Sequence, residues 1–150
     1  IRMAGMQIRE KSRLERDFRP VDDVMMDEGR LGQVVLNLLV NAAQSIETGQ
    51  PSDNCITVQV RQEKNTVVIS VQDTGPGIPD AVLQRVFEPF FTTKPVGEGT
   101  GLGLSICREL VADAGGEISI DSELAGGTRV SVALPASGLA ASGVPAANTQ

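Results

Sequence analysis

Between Glu28 and Glu47 the chain places Leu31, Val34, Val35, Leu38, Ala42 and Ile46 on one stripe at helical spacing. Asp27 stands where an N-cap belongs and Gly49 where a helix would stop. A stripe of this kind is buried against another layer of structure. Downstream, Cys55–Arg61 and Thr66–Asp73 alternate in strand fashion, with Glu63–Asn65 as the turn between them. Asp80–Phe87 reads as a short helix after Pro79, and Leu104–Ala114 as a helix ended by Gly115-Gly116. Glu117–Ser122 and Thr128–Leu134 form a last strand pair around a loop at Ala125–Gly127. Upstream, residues 1–11 read as the end of a preceding helix or a hinge, Ser12–Phe18 as an edge strand and Val24–Met26 as a short apolar run. The sum is an α/β fold, a two-layer sandwich with a mixed β-sheet packed on three helices. The expected domain spans residues 12–135. Residues 136–150, rich in Ala, Ser, Gly and Pro and without a charge, read as a disordered linker or tail.

Composition removes several classes of function. The 150 residues carry 13 basic and 19 acidic side chains, a net charge of −6, which argues against a nucleic-acid backbone as the main partner. There is no histidine, so a Ser–His triad, a His metal site and the catalytic loop of Ser/Thr/Tyr kinases are all excluded within this chain. Cys55 and Cys107 match no metal or redox spacing and read as reduced thiols of a cytosolic protein. No apolar run reaches membrane-spanning length, so no direct membrane contact is expected. The chain opens on Ile1 rather than Met, and a piece of a longer protein is expected.

Four local patterns carry chemistry. Asn37 and Asn41 lie one helical turn apart beside the apolar stripe, at the margin of the core, where an amide oxygen is a good hard ligand for Mg²⁺. By itself the pair reads rather as two surface amides. Asp73 shares strand parity with Val67, Ile69 and Val71 and so faces the buried side, where a carboxylate needs a partner. Asp73-Thr-Gly-Pro-Gly-Ile78 follows, and glycines at 75 and 77 let the backbone approach a planar ligand. A carboxylate there would accept from the exocyclic amine of adenine and be repelled by guanine's carbonyl. Asp-Thr-Gly is also an aspartic-protease signature, which Gln72 and Pro76 fit poorly. Gly97-Glu-Gly-Thr-Gly-Leu-Gly103 leads into a helix and offers N–H groups to phosphate, without being a P-loop or a dinucleotide fingerprint. Finally, Gly126-Gly127 precedes Thr128, whose parity with Val130, Val132 and Leu134 turns its hydroxyl inward.

In this order along one chain, from about Asp27 to Leu134, these patterns resemble the GHKL superfamily with its Bergerat ATP-binding fold. Asn37 and Asn41 match the N box, Asp73–Gly77 the first glycine box, Gly99–Gly103 the second, and Gly126–Thr128 the last. Phe87-Glu-Pro-Phe-Phe-Thr-Thr-Lys94 is similar to the F box of histidine kinases and holds three of the four phenylalanines. The resemblance implies Mg-ATP as the ligand, with Asn41 holding Mg²⁺, Asp73 binding the adenine amine directly and through a water, and Thr128 supporting that contact. It also implies nucleotide contacts from Gln44, from Gly75, Gly77 and Ile78, and from Gly99, Thr100, Gly101, Leu102 and Gly103 in a lid at roughly 92–103. The catalytic positions it implies are Asn37, Asn41 and Lys94.

The ATPase branches of this superfamily carry a glutamate at the position of Asn37, and an asparagine cannot act as a general base. Asn37 and the F box therefore favour the kinase branch. Gln44 departs from the basic residue several histidine kinases carry there, which leaves phosphate neutralisation to Lys94 and Mg²⁺. The implied activity is transfer of the γ-phosphoryl of ATP to a histidine on a dimerisation domain outside this chain, in two-component signalling. A response-regulator receiver domain would be an indirect partner, the parent a homodimer, and the location cytoplasmic even if the parent is anchored in a membrane. The rivals are a nucleotide-sensing module without transfer and an anti-sigma-type Ser/Thr kinase.

Overall fold

The computed structural model describes residues 13–46, 54–89, 103–123 and 126–140. Among these residues, six strands and three helices follow one another as β1 (Arg13–Phe18), β2 (Asp22–Val24), α1 (Glu28–Ser45), β3 (Cys55–Glu63), β4 (Thr66–Asp73), α2 (Asp80–Leu83), α3 (Gly103–Asp113), β5 (Glu117–Glu123) and β6 (Gly127–Ala140). One mixed sheet runs in the order β1-β3-β4-β6-β2, with β5 also paired to β6. Only the β1–β3 pair is parallel; β3–β4, β4–β6, β5–β6 and β2–β6 are antiparallel.

The period-2 pattern sets which face is covered. Ile56 and Val58, Ile69 and Val71, and Val130, Val132 and Leu134 all turn inward and are buried. Val34, Leu38, Ala42, Ala43 and Ile46 of α1 close over them, joined by Cys107 and Val111 of α3. The opposite face is polar, and Arg129 Nη2 there donates to Gln72 Oε1 on the neighbouring strand at 2.9 Å. Asp27 caps α1 by accepting from the N–H of Arg30 at 3.2 Å. At the end of α3, the N–H groups of Gly115 and Gly116 reach back to the carbonyls of Ala112 and Val111, both at 2.9 Å. Neither cysteine is in a disulfide. Among the described residues no helix is long and apolar enough to cross a membrane.

The two-layer sandwich expected from the sequence is present, with three corrections. First, α1 and α3 do the covering, whereas α2 is a single turn with no buried residue. The expected helix Asp80–Phe87 continues past Leu83 only as hydrogen-bonded turns, because a segment without a buried face has no packing to sustain it. Second, α1 ends at Ser45 rather than Glu47, where the N–H of Ile46 bonds back to Ala43 O at 3.3 Å. Third, the segment from Ala136 to Ala140 is not tail: β6 runs through it and pairs with β2, Val24 opposite Ala136 and Asp22 opposite Ala140. The segment at 1–11 and the stop at Gly49 lie outside the described residues.

Candidate functional site

Asp73 is the last residue of β4 and Thr128 sits directly opposite it on β6. Strand parity turns both inward, and they are 5% and 7% exposed. Asp73 Oδ1 accepts the N–H of Gly75 at 2.8 Å. Its carboxylate also accepts from the Thr128 N–H, and the Ser45 hydroxyl, which donates to Ala42 O at 2.8 Å, lies beside it. An ionised carboxylate offers about four lone-pair positions. The N–H groups of Gly75 and Thr128 fill two, which leaves room for a further donor.

Gly75 is required for this arrangement by space. A Cβ there would lie 2.9 Å from both Asp73 Oδ1 and Ser45 Oγ. Gly127, just before Thr128, has φ +87°, and a Cβ on it would collide with the carbonyl oxygen of Asp73. Gly77 also takes a positive φ, +83°. The N–H of Ile78, the last residue of the glycine-box segment, donates to Ser122 Oγ at 2.7 Å. Ser122 in turn lies 2.9 Å from Thr128 Oγ1 and donates to Gly127 O at 3.1 Å.

The second cluster forms one helical turn away. Asn41 and Ser45 are four residues apart on α1, about 6 Å along its axis. Ser45 reaches Asp73, while Asn41 faces the first residue of α3: a Cβ on Gly103 would lie 3.7 Å from Asn41 Nδ2 and 3.8 Å from Oδ1. A helix N-terminus carries free N–H groups and a positive dipole end. The described site therefore has a carboxylate end at Asp73 and Thr128, and an amide-plus-helix-dipole end at Asn41 and Gly103.

Asn37 is placed differently. One turn before Asn41, its amide hydrogen-bonds to the thiol of Cys107, one turn into α3 from Gly103. The two helices run antiparallel here, and Asn37 ties them together in their interface. Burial pushes the Cys107 thiol up, and the Asn37 bond partly offsets this. Gln44 is half-buried on α1. Of the aromatic segment, Phe87 is described: the Arg108 guanidinium of α3 lies 5.4 Å from its ring centroid. Lys94, Gly99, Thr100, Gly101 and Leu102 lie outside the described residues.

Two members of this constellation were not read from the sequence, Ser45 and Ser122. The signal for Ser122 was available, since it shares parity with Ile118 and Ile120 just as Thr128 does with Val130. Ser45 lies one turn beyond Asn41 on the same side of α1.

Burial raises the carboxyl pKa of Asp73, and the neighbouring Gly75 N–H, Ser45 hydroxyl and Thr128 N–H pull it back only in part. The consequence has two opposite signs. The folded value exceeds the unfolded one, so its contribution to stability is fully present below the ordinary aspartate range. That contribution is lost as pH rises through the raised value. Accepting from a ligand amine requires the ionised form, so affinity for adenosine should instead fall as pH drops into the same window. Calorimetry with adenosine and chemical denaturation over one pH series should show the two trends crossing. Asp73→Asn should flatten both; an adenosine affinity independent of pH across the window would contradict this role for the carboxylate.

Residues 26–138 match the family described as histidine kinase-, DNA gyrase B-, and HSP90-like ATPase, and the chain belongs to that family. Sensor kinase CckA of Brucella abortus (strain 2308) is 42% identical over 145 residues, which cover 89% of this chain and 15% of that protein. Among solved structures, the mycobacterial sensor histidine kinase MprB superposes with a TM-score of 0.74 at 28% identity, over 90% of this chain and 92% of that one. Full-length ShkA in complex with AMPPNP gives 0.72 at 29% identity, over 97% of this chain and 30% of that one. The chain thus spans a small part of the full-length sensor kinases it is similar to.

Proposed function

We propose that this chain binds Mg-ATP between α1, α3 and the ends of β4 and β6, and donates the γ-phosphoryl to a histidine on a dimerisation domain outside these residues. The observation that carries the reading is the spacing along α1. Ser45 meets the buried acceptor Asp73, and Asn41, one turn earlier, meets the N-terminus of α3. A nucleotide laid across these two points puts its amine-bearing base at Asp73 and its phosphates at the helix end. That ShkA matches this chain while holding AMPPNP, an ATP analogue, supports the same reading.

The residues fit a magnesium ion. Asn41 offers a hard amide oxygen beside the helix end where phosphate charge would gather, and Mg²⁺ takes few protein ligands when phosphates supply the rest. When bound, it would neutralise charge on the transferring phosphoryl group. The chain's own share is positioning: Asp73 and Thr128 hold the base, Asn41 and the α3 N–H groups orient the phosphates, and Lys94 is the candidate to neutralise their charge. Asn37, bonded to Cys107, contributes by fixing α1 against α3. The γ-phosphorus–oxygen bond to ADP breaks as a bond to the acceptor imidazole nitrogen forms, and the imidazole proton passes to the carboxylate of an acidic residue beside that histidine, which acts as the base. A receiver domain would take the phosphoryl group next, and the parent would act as a cytoplasmic-facing homodimer.

Incubation with γ-labelled ATP tests this. The isolated chain has no histidine, so it should bind ATP yet acquire no stable label and release phosphate slowly. Adding the histidine-bearing domain of the parent, as a separate polypeptide, should produce acid-labile label on that domain. Acid-stable label on the isolated chain would point instead to a Ser/Thr kinase, and brisk phosphate release to an ATPase.

A further inference from the structure

The inner end of β5 carries a hydroxyl with more partners than protons. Ser122 Oγ has three partners: the N–H of Ile78 at 2.7 Å, the carbonyl of Gly127 at 3.1 Å and the hydroxyl of Thr128 at 2.9 Å. Ile78 N–H can only donate and Gly127 O can only accept. A hydroxyl has one proton and two lone pairs. With that proton on Gly127 O and one lone pair receiving Ile78, the bond to Thr128 exists only if Thr128 donates. The Thr128 proton is therefore committed to Ser122, and Thr128 Oγ1 can only accept from anything else. Beside it stands the Asp73 carboxylate, also an acceptor, already joined to the Thr128 N–H.

We propose that Ser122 is a positioning residue that sets base specificity: by holding the proton of Thr128, it makes this end of the site a pair of acceptors. Such a pair matches the two N–H donors of an adenine amine, or one of them and a bridging water. It opposes guanine, which presents an acceptor at the same place. The Ile78 bond fixes the glycine-box segment at the register in which the pair is presented. This rests on the ATP-binding reading above and adds the residue that enforces its selectivity.

In Ser122→Ala the Thr128 hydroxyl is free to turn and donate. ATP affinity should fall about tenfold, while GTP affinity stays level or rises, so the ATP-to-GTP ratio collapses. Ser122→Thr, which keeps the hydroxyl, should restore the ratio. Thr128→Val should lower the ratio alone, and the double variant should be no worse than the poorer single one, since both act on one bond. Without nucleotide, the Ile78 amide should exchange faster in Ser122→Ala than in the wild type. Equal loss of ATP and GTP in Ser122→Ala, or additive effects in the double variant, would overturn the proposal and leave ATP binding intact. If Ser122→Ala does not fold, Ser122→Thr and Thr128→Val carry the test, and an unchanged ratio in Thr128→Val overturns it. A wild type that binds ATP and GTP equally would overturn the ATP-selective reading itself, and this inference with it.

Discussion

Asp73→Ala should lower ATP affinity by roughly tenfold to a hundredfold, the range for losing a hydrogen bond to a charged acceptor. The position is unusual for an acid. Asp73 is buried at the end of β4, the N–H groups of Gly75 and Thr128 converge on it, and yet burial still raises its pKa. A group held there against its own desolvation has a lone-pair position left for a ligand donor. Removing it should cost base recognition more than phosphate recognition. The decisive number is a ratio: calorimetric affinities for ATP and GTP should become nearly equal in Asp73→Ala, while the Asn41 and Gly103 end continues to bind the phosphates of both. ATP bound as tightly as in the wild type would remove Asp73 from the site.

Gly127→Ala should be the most damaging single-methyl change where the chain turns from β5 into β6. At φ +87° an alanine is strained, and the added Cβ would meet the carbonyl oxygen of Asp73, a backbone atom with no rotamer to escape into. The expected loss is about 3 kcal/mol or more, a drop in melting temperature of roughly 10 °C for a domain of this size. Gly126→Ala is the control. Its Cβ would approach the Glu123 side chain at 3.0 Å and needs no positive φ, so about 1 kcal/mol is expected. Urea denaturation of the two variants side by side decides it, and equal stabilities would mean that Gly127 is not locked against β4. Because the displaced oxygen belongs to Asp73, Gly127→Ala should also weaken ATP at temperatures where it remains folded.

What could be read from the sequence was what periodicity and parity encode. The stripe from Leu31 to Ile46 placed α1, and alternation placed β3, β4 and the inward side chains of Asp73 and Thr128. What could not be read was set by partners distant in sequence. Residues 136–140 have no alternation of their own; they are strand because β2 lies alongside, and β-structure of that kind is dictated by its neighbours. Asp80–Phe87 looked helical by its residues, but only its first turn is helix and none of that turn's residues is fully buried. Asn37 and Asn41 look alike as a pair, yet α3 distinguishes them, giving one a buried thiol and the other the first residue of the helix. Ser45 and Ser122 are ordinary serines until the fold brings Asp73, Ile78 and Thr128 to them.

The extension of β6 past Leu134 changes where this unit can be cut. Composition alone invites trimming at Pro135, because the residues that follow are rich in Ala, Ser and Gly and carry no charge. Those residues are the ladder partner of β2, and the N–H of Met25, just after β2, bonds to Pro135 O at 3.2 Å. β2 leads within three residues to Asp27, the cap of the helix that carries Asn41 and Ser45. A fusion joint or truncation placed at residue 136 would unzip that short strand and unfasten the approach to α1, so an excised fragment meant for ligand screening should retain residues through Ala140.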